Sequence, residues 1–255
     1  MSGKNLESQV LNAQFPRLVR IGLSGLLVVF GDRLDDAINR AVLAFRAEIE
    51  AAHWPEIIET AASLASVYLR FDPVTADPDV LVERIVARIG ARDWYSAALP
   101  HHRKLWRIPA AFGGDAGPQF DEAVRLAGRT AEEAVEELTA RPVRVLTIGF
   151  APGLPYMGTL PENWDIPRQG GLTPLVPACA IVAAIRQLII FPTATPTGWR
   201  HIGQTAFRGF RPDADEPFML RAGDEVQFVP IEADELRRLS TDDPEHGGAT
   251  TSVLP

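Results

Sequence analysis

The chain reads as an α+β protein in two parts: an N-terminal domain that mixes strands with two amphipathic helices, and a C-terminal domain of antiparallel strands closing into a barrel. Three observations predict this. Over the first 100 residues the hydrophobic period alternates between steps of two and steps of three and four. At Leu99-Pro100-His101-His102-Arg103-Lys104 that periodicity stops in a polar segment carrying a proline, which sets a domain boundary between residues 100 and 101. Beyond residue 143 short strand-like runs recur, spaced by Pro and Gly.

Residues 1–15 read as a polar leader. Arg17–Gly31 reads as strand, Ser-Gly turn, strand. Asp32 or Asp35 caps a helix over Leu34–Ala52, in which Ile38, Ala41, Val42, Phe45 and Ile49 share one face; Pro55 ends it. Glu56–Ala62 and Ser66–Phe71 are two strands, the second alternating Val67, Leu69 and Phe71. Asp77-Pro78 opens a second helix with the buried stripe Leu81, Val82, Ile85, Val86 and Ile89, and Gly90 stops it. The order β-α-β-β-α is ferredoxin-like, with a final strand expected near Trp94–Leu99.

In the second domain, residues 101–235, Leu105–Phe112 reads as a strand, Gly113–Pro118 as a turn and Phe120–Ala127 as a short helix. Thr130 with Glu133 forms a capping box that opens another helix through Leu138. Arg144–Phe150, Ala178–Ile185, Gln187–Phe191, Arg200–Thr205 and Glu225–Ile231 are the barrel strands, the last preceded by an Ala222-Gly223-Asp224 turn. Residues 236–255 read as a flexible tail.

Composition narrows the function. Net charge is −8 and no long Lys/Arg cluster occurs, which argues against a nucleic-acid partner. No apolar run is long enough for a membrane span or a secretory leader, so a cytoplasmic protein is expected. Lys4 and Lys104 are the only lysines, and the five histidines show no metal-binding spacing beyond the adjacent His101-His102, so neither a lysine nucleophile nor a metal is expected. No Walker-type or dinucleotide-type glycine loop and no nucleophile elbow is present, so no cofactor is expected on this chain alone.

The organising stretch is Thr147–Gly203. Nine of the 23 residues of Gly149–Gly171 are Gly or Pro, with Phe150, Tyr156 and Trp164 among them. Such a segment is expected as an ordered loop, neither helix nor central strand, that shapes a pocket or a partner surface. Its Leu154, Tyr156, Met157, Leu160 and Trp164 are too many large apolar groups for a loop facing only water, and a partner surface is expected there. Arg168, after Pro167, reads two ways: a guanidinium for a carboxylate or phosphate, or a local ion pair with Asp165 or Glu162. Gln187, in an apolar run, is either a ligand-binding amide or a satisfied core group. Trp199 offers an aromatic wall; His201 is either a general base or a surface histidine. Cys179 reads as an inert core thiol.

The run GFAPGLPYMGTLP, then IPR, VPA, FP, TPTGWRHIGQT and RAGDEVQFVPI, with IPAAFGGDAGP upstream, resembles the family of 5-oxoprolinase B subunits. That family is also called allophanate hydrolase subunit 1 and includes the kinase inhibitor KipI. The resemblance covers about residues 17–231. It implies a ferredoxin-like domain followed by a cyclophilin-like β-barrel, and work with two partners: a chain of cyclophilin fold like the enzyme's C subunit, and a chain like its A subunit. The assembled enzyme uses ATP to open the lactam 5-oxoproline to glutamate. It also implies two other readings: a KipI-like inhibitor of a sensor histidine kinase, and a carboxyltransferase subunit of a biotin-dependent urea carboxylase or allophanate hydrolase system. Phe150, Pro152, Gly153, Tyr156, Arg168, Gln187 and Trp199 are then expected to bind substrate or partner, with Arg168 and His201 as catalytic candidates. The sequence departs from the family pattern at Leu138, Leu172-Thr173, Cys179-Ala180 and Thr197, where the family carries His, Pro-Arg, Gly-Ser and Gly.

Overall fold

The computed structural model of the protein describes residues 15–254, so all but the last residue of the expected polar leader lies outside the described residues. The chain divides into two compact units, Met1–Leu99 and Pro100–Pro255, each with its own core.

In the first unit β1 (Arg17–Ile21) and β2 (Gly25–Val29) form a hairpin turned through Gly22, which takes a positive φ. Asp35 caps α1 (Asp36–Ala51), its Oδ1 accepting from the Ala37 and Ile38 amides at 2.9 and 3.2 Å. The Ile38, Ala41, Val42, Phe45 and Ile49 face is buried. The β3 (Ile57–Ala62) and β4 (Ser66–Phe71) hairpin follows, then α2 (Pro78–Ile89), capped by Asp77 with Pro78 in its first turn. The antiparallel sheet has the order β1-β2-β4-β3.

Three expectations change here. Trp94–Leu99 forms turns, not a strand; Trp94 is a core plug whose indole donates to the Ile89 carbonyl at 3.0 Å and whose ring meets Phe45 edge-on at 5.0 Å. The ferredoxin-like order is therefore not completed at its end, and the sheet position beside β2 is filled by β1, which precedes the motif. On α2 only Leu81 and Ile85 are fully buried, while Val86 is 52% exposed; the helix rests on a narrower seam than its apolar stripe.

The second unit contains, in chain order, β5 (Lys104–Phe112), α3 (Phe120–Leu126), α4 (Ala131–Thr139), β6 (Val143–Ile148), β7 (Pro155–Gly158), β8 (Thr173–Val176), β9 (Ala180–Ala184), β10 (Gln187–Ile190), β11 (Thr195–Thr197), β12 (Arg200–Thr205), β13 (Glu225–Pro230), α5 (Ala233–Asp242) and β14 (Thr250–Val253). Seven strands close a barrel in the order β12-β9-β10-β7-β6-β13-β5, with β5 pairing back to β12. Its interior holds Trp106, Ile108, Val145, Met157, Leu188, Ile190, Ile202, Phe207, Val226 and Phe228. Each large side chain so buried stabilises the fold by roughly 1.5–3 kcal/mol. The Thr130–Glu133 capping box forms as expected, at 3.2 and 2.9 Å. Asp224 ties the barrel's ends: its carboxylate accepts from the Lys104 and Arg221 amides at 2.8 and 3.0 Å and from the Trp106 indole at 3.4 Å.

The barrel departs from the sequence reading in three ways. It is not wholly antiparallel, since β13 runs parallel to β5; a parallel pair needs a long crossover, and the whole segment between them supplies it. β7 is a central strand inside the Gly/Pro-rich loop, paired on both sides; Pro155 is tolerated because it is the strand's first residue. The expected flexible tail is folded. Leu236 of α5 packs with Ala111 and Ala206, β14 pairs with β5, and Asp243 closes the turn between them by accepting from the Gly248 amide at 2.9 Å. Among the described residues, no helix is long and apolar enough to cross a membrane.

Candidate functional site

Strand alternation leaves one set of side chains on the outside of the β7-β10-β9-β12 wall. Register aligns Tyr156 with Ile189, Ile189 with Val182, and Val182 with His201, so one row crosses four strands. The neighbouring row carries Gly158, Gln187 and Ala184. Ile189, Val182, Ala180, Ala184 and Phe191 form an apolar floor, packed with Trp199, Leu154 and Val176. Polar groups stand at its margins. Gln187 is only 2% exposed, and its Nε2 has no hydrogen-bond partner. His201 is 6% exposed with an unpartnered Nε2, and burial lowers its pKa, so the ring is neutral at pH 7. Three interstrand steps of about 4.8 Å put Tyr156 and His201 roughly 14 Å apart, too far to meet on one small group.

The loop after β7 brings in the cation. A 3₁₀ turn at Glu162–Trp164 is held by Glu137 of α4, whose carboxylate accepts from Asn163 Nδ2 and Trp164 Nε1, both at 2.9 Å, and from Arg129 Nε at 2.6 Å. These donors outweigh partial burial and keep the Glu137 carboxyl below its ordinary range. The loop then pairs along the β9–β10 turn, with the Arg186 amide donating to the Trp164 carbonyl and the Ile185 amide to the Ile166 carbonyl. Arg168 crosses Gly198 so closely that a Cβ there would lie 3.6 Å from its guanidinium nitrogens. It makes no ion pair or hydrogen bond among the described residues, so the local pairing with Asp165 or Glu162 does not form. Its charge reaches Tyr156, whose phenol burial pushes up and Arg168 pulls partly back.

The structure therefore places Tyr156, Arg168, Gln187, Trp199 and His201 around one outer face. Phe150, Pro152 and Gly153 lie in the adjoining β6–β7 turn, whose Ala151 and Leu154 pack in the same cluster as Trp199 and Tyr156. In that turn Phe150 is 89% exposed at φ +68°, and Gly153, at φ +71°, is packed so that a Cβ would meet Phe210 at 2.6 Å. Gly153 is a packing glycine.

The expected partner surface is corrected. Leu154, Met157, Leu160 and Trp164 are each 3% exposed or less, because this chain's own barrel and α4 cover them. Cys179 is buried with its thiol pKa raised by desolvation, as an inert core thiol should be. It holds φ +64°, the left-handed region that glycine adopts freely. Thr197 also has a local role: its Oγ1 accepts from the Trp199 amide at 3.0 Å. Sequence reasoning missed Glu137, Gln119 and Gln169. The first looks like one more helix-surface acid, and the other two carry no charge to mark them.

The family described as carboxyltransferase domain, subdomain C and D, matches residues 16–220. The chain is 30% identical over 224 residues to the 5-oxoprolinase B subunit of Bacillus subtilis (strain 168), covering 84% of this chain and 92% of that protein. It is 33% identical over 178 residues to the 5-oxoprolinase B subunit of Escherichia coli O157:H7, covering 69% of this chain and 79% of that protein. The solved structure of TTHA0988 superposes with a TM-score of 0.69 at 26% identity, covering 82% of this chain and 40% of that longer one. With the family matched over most of its length, and with a 30%-identical relative covered over 92% of its own length, the chain belongs to the 5-oxoprolinase B-subunit family of carboxyltransferase-type domains.

Proposed function

We propose that this chain is the B subunit of a multi-subunit, ATP-dependent amidohydrolase of the 5-oxoprolinase type, inactive without its A-like and C-like partner chains. The observation that carries the reading is the alignment with a 5-oxoprolinase B subunit over 92% of that protein's length. The site's chemistry supports it. An apolar floor with an aromatic wall, one unpaired guanidinium and one buried amide donor suits a small cyclic amide bearing a carboxylate. Arg168 takes the carboxylate by a forked, charge-assisted pair, and Gln187 Nε2 donates to the ring carbonyl. Tyr156 and Trp199 exclude water beside them.

The same geometry lacks a complete catalytic set. Cys179 keeps its proton, and His201 lies too far from Tyr156 to share a reacting atom with it. Opening an unstrained lactam needs a phosphate-binding element and an activated nucleophile, and we assign both to the partners. Phe150, Leu172 and Leu175, 89%, 67% and 65% exposed, are large apolar groups of the second unit that a partner could cover. Co-expression with the A-like and C-like chains tests the reading: the complex should release glutamate from 5-oxoproline only when ATP is present.

The carboxyltransferase description of the family favours a second reading, transfer of a carboxyl group from carboxybiotin to a small amide such as urea. Carboxylation of urea by the same complex, supplied with a carboxylated biotin carrier, would favour it over the first.

A further inference from the structure

The segment that carries Arg168 has no regular structure, yet two neutral amides tie it to β12 with every polar atom engaged. Gln119 Oε1 accepts from the His201 amide at 2.8 Å, and the Gln119 amide donates to the His201 carbonyl at 2.9 Å. Gln119 Nε2 donates to Gln169 Oε1 at 2.7 Å and to Thr173 Oγ1 at 3.2 Å. Gln169 Nε2 donates to the Trp199 carbonyl at 2.9 Å and to Thr173 Oγ1 at 3.2 Å, while its amide donates to the Gly198 carbonyl at 2.7 Å. On the other side of Arg168, the Pro167 carbonyl accepts from Arg200, which also pairs with Glu122 at 3.0 Å.

We propose that Gln119 and Gln169 are the positioning residues of this site, an amide clamp that holds Arg168 across Gly198 and toward the Tyr156–Trp199 wall. The proposal rests on the reading of Arg168 as the group that binds the substrate's anion. Arg168 has no bond of its own, so its place is set by its neighbours alone. Arg168 is exposed, and a segment so held loses less freedom when a ligand arrives than a free loop does. Neutrality is part of the design. A carboxylate at position 119 or 169 would pair with Arg168 and repel an anionic ligand, whereas an amide supplies both donor and acceptor without competing for the charge.

Tyr156 reports the position of Arg168 without substrate. The chain has three tyrosines, Tyr68, Tyr95 and Tyr156, so a titration of the ring carbons by NMR resolves each. Arg168→Gln calibrates the probe: removing the cation should raise the Tyr156 pKa. Gln119→Met and Gln169→Met keep side-chain length and remove the amide. Each should reproduce most of that rise, and the double variant should add little, since the two act as one clamp. Should a Met variant not fold, Gln119→Asn, which keeps an amide but shortens its reach, is read in the same way. Folded variants in which Tyr156 titrates as in the wild type would overturn the proposal.

Glutamate release by the assembled enzyme then separates the clamp from the functional reading. KM for 5-oxoproline should rise about tenfold in the Met variants with kcat retained. A shifted Tyr156 with an unchanged KM would uphold the clamp and remove Arg168 from substrate binding.

Discussion

The Tyr156 phenol and the Trp199 indole meet edge to face, their centroids 6.1 Å apart and their planes at 69°. One ring comes from a strand hidden in a Gly/Pro-rich run, the other from the turn before β12. Their meeting closes one side of the apolar floor, and Arg168 sits where its charge reaches Tyr156. Such a pair contributes about 0.5–1.5 kcal/mol beyond the area it buries.

Trp199 is 6% exposed, so Trp199→Ala should cost about 3–5 kcal/mol in urea unfolding. Trp199→Phe keeps an aromatic edge for Tyr156 and should cost less than half as much. Equal losses would show that the indole's contacts matter and the ring pairing does not.

Arg168→Lys should weaken binding of an anionic substrate by about 1–3 kcal/mol, because an ammonium cannot make the forked contact. Calorimetry of the assembled complex with 5-oxoproline measures it, and thermal stability should stay within about 0.5 kcal/mol of the wild type because the side chain has no partner to lose.

Asp224 gives a pH signature. Burial raises its pKa above the ordinary carboxylate range despite three donors. A raised folded-state pKa means that the native state holds the proton more tightly. The stability this adds is complete below the unfolded-state value near 3.8 and is lost as pH rises through the folded-state value. The stability gap between wild type and Asp224→Asn should therefore shrink as pH rises from about 4 toward 7. A gap that widens instead would reverse the assignment of burial as the dominant cause.

The two cores share no residue, and hydrophobic periodicity breaks between them. Residues 1–99 and 100–255, expressed separately, should each give a cooperative unfolding transition. Failure of the 100–255 piece to fold would argue against the boundary.

Much of this architecture can be read from the sequence where one local rule decides. Asp35, Asp77 and Thr130 cap helices because short polar side chains beside an amphipathic run have little else to do. The apolar runs around Ile181 and Leu188 become barrel strands for the same reason. Legibility fails where a distant partner decides. Tyr156 and Met157 become a central strand only because β6 and β10 stand on either side. The tail folds because β5 has edge to spare for β14 and Ala111 and Ala206 offer Leu236 a seat. At the site, Arg168 is visible as a cation on a stiff segment, but the Gln119–Gln169 pair joins residues fifty positions apart and leaves no local pattern. The apolar content of Gly149–Trp164 points to burial without saying against what, and the chain's own barrel takes most of it.

The revised partner surface follows from that burial. Phe150→Asp and Leu175→Asp place charge on two exposed apolar groups of the second unit and should each weaken the complex with the C-like chain on size exclusion, leaving this chain folded. Trp164→Asp should instead unfold it, since Trp164 is a core residue anchored to Glu137. Complexes that survive both surface substitutions would move the interface elsewhere.

The most direct measurement is glutamate release from 5-oxoproline by the purified chain alone, by its A-like and C-like partners alone, and by the three together, each with and without ATP. The account predicts release only from the complete set with ATP, and a loss of release when Arg168→Gln replaces the wild-type chain. Release by the lone chain, or full activity of the partners without it, would contradict the account.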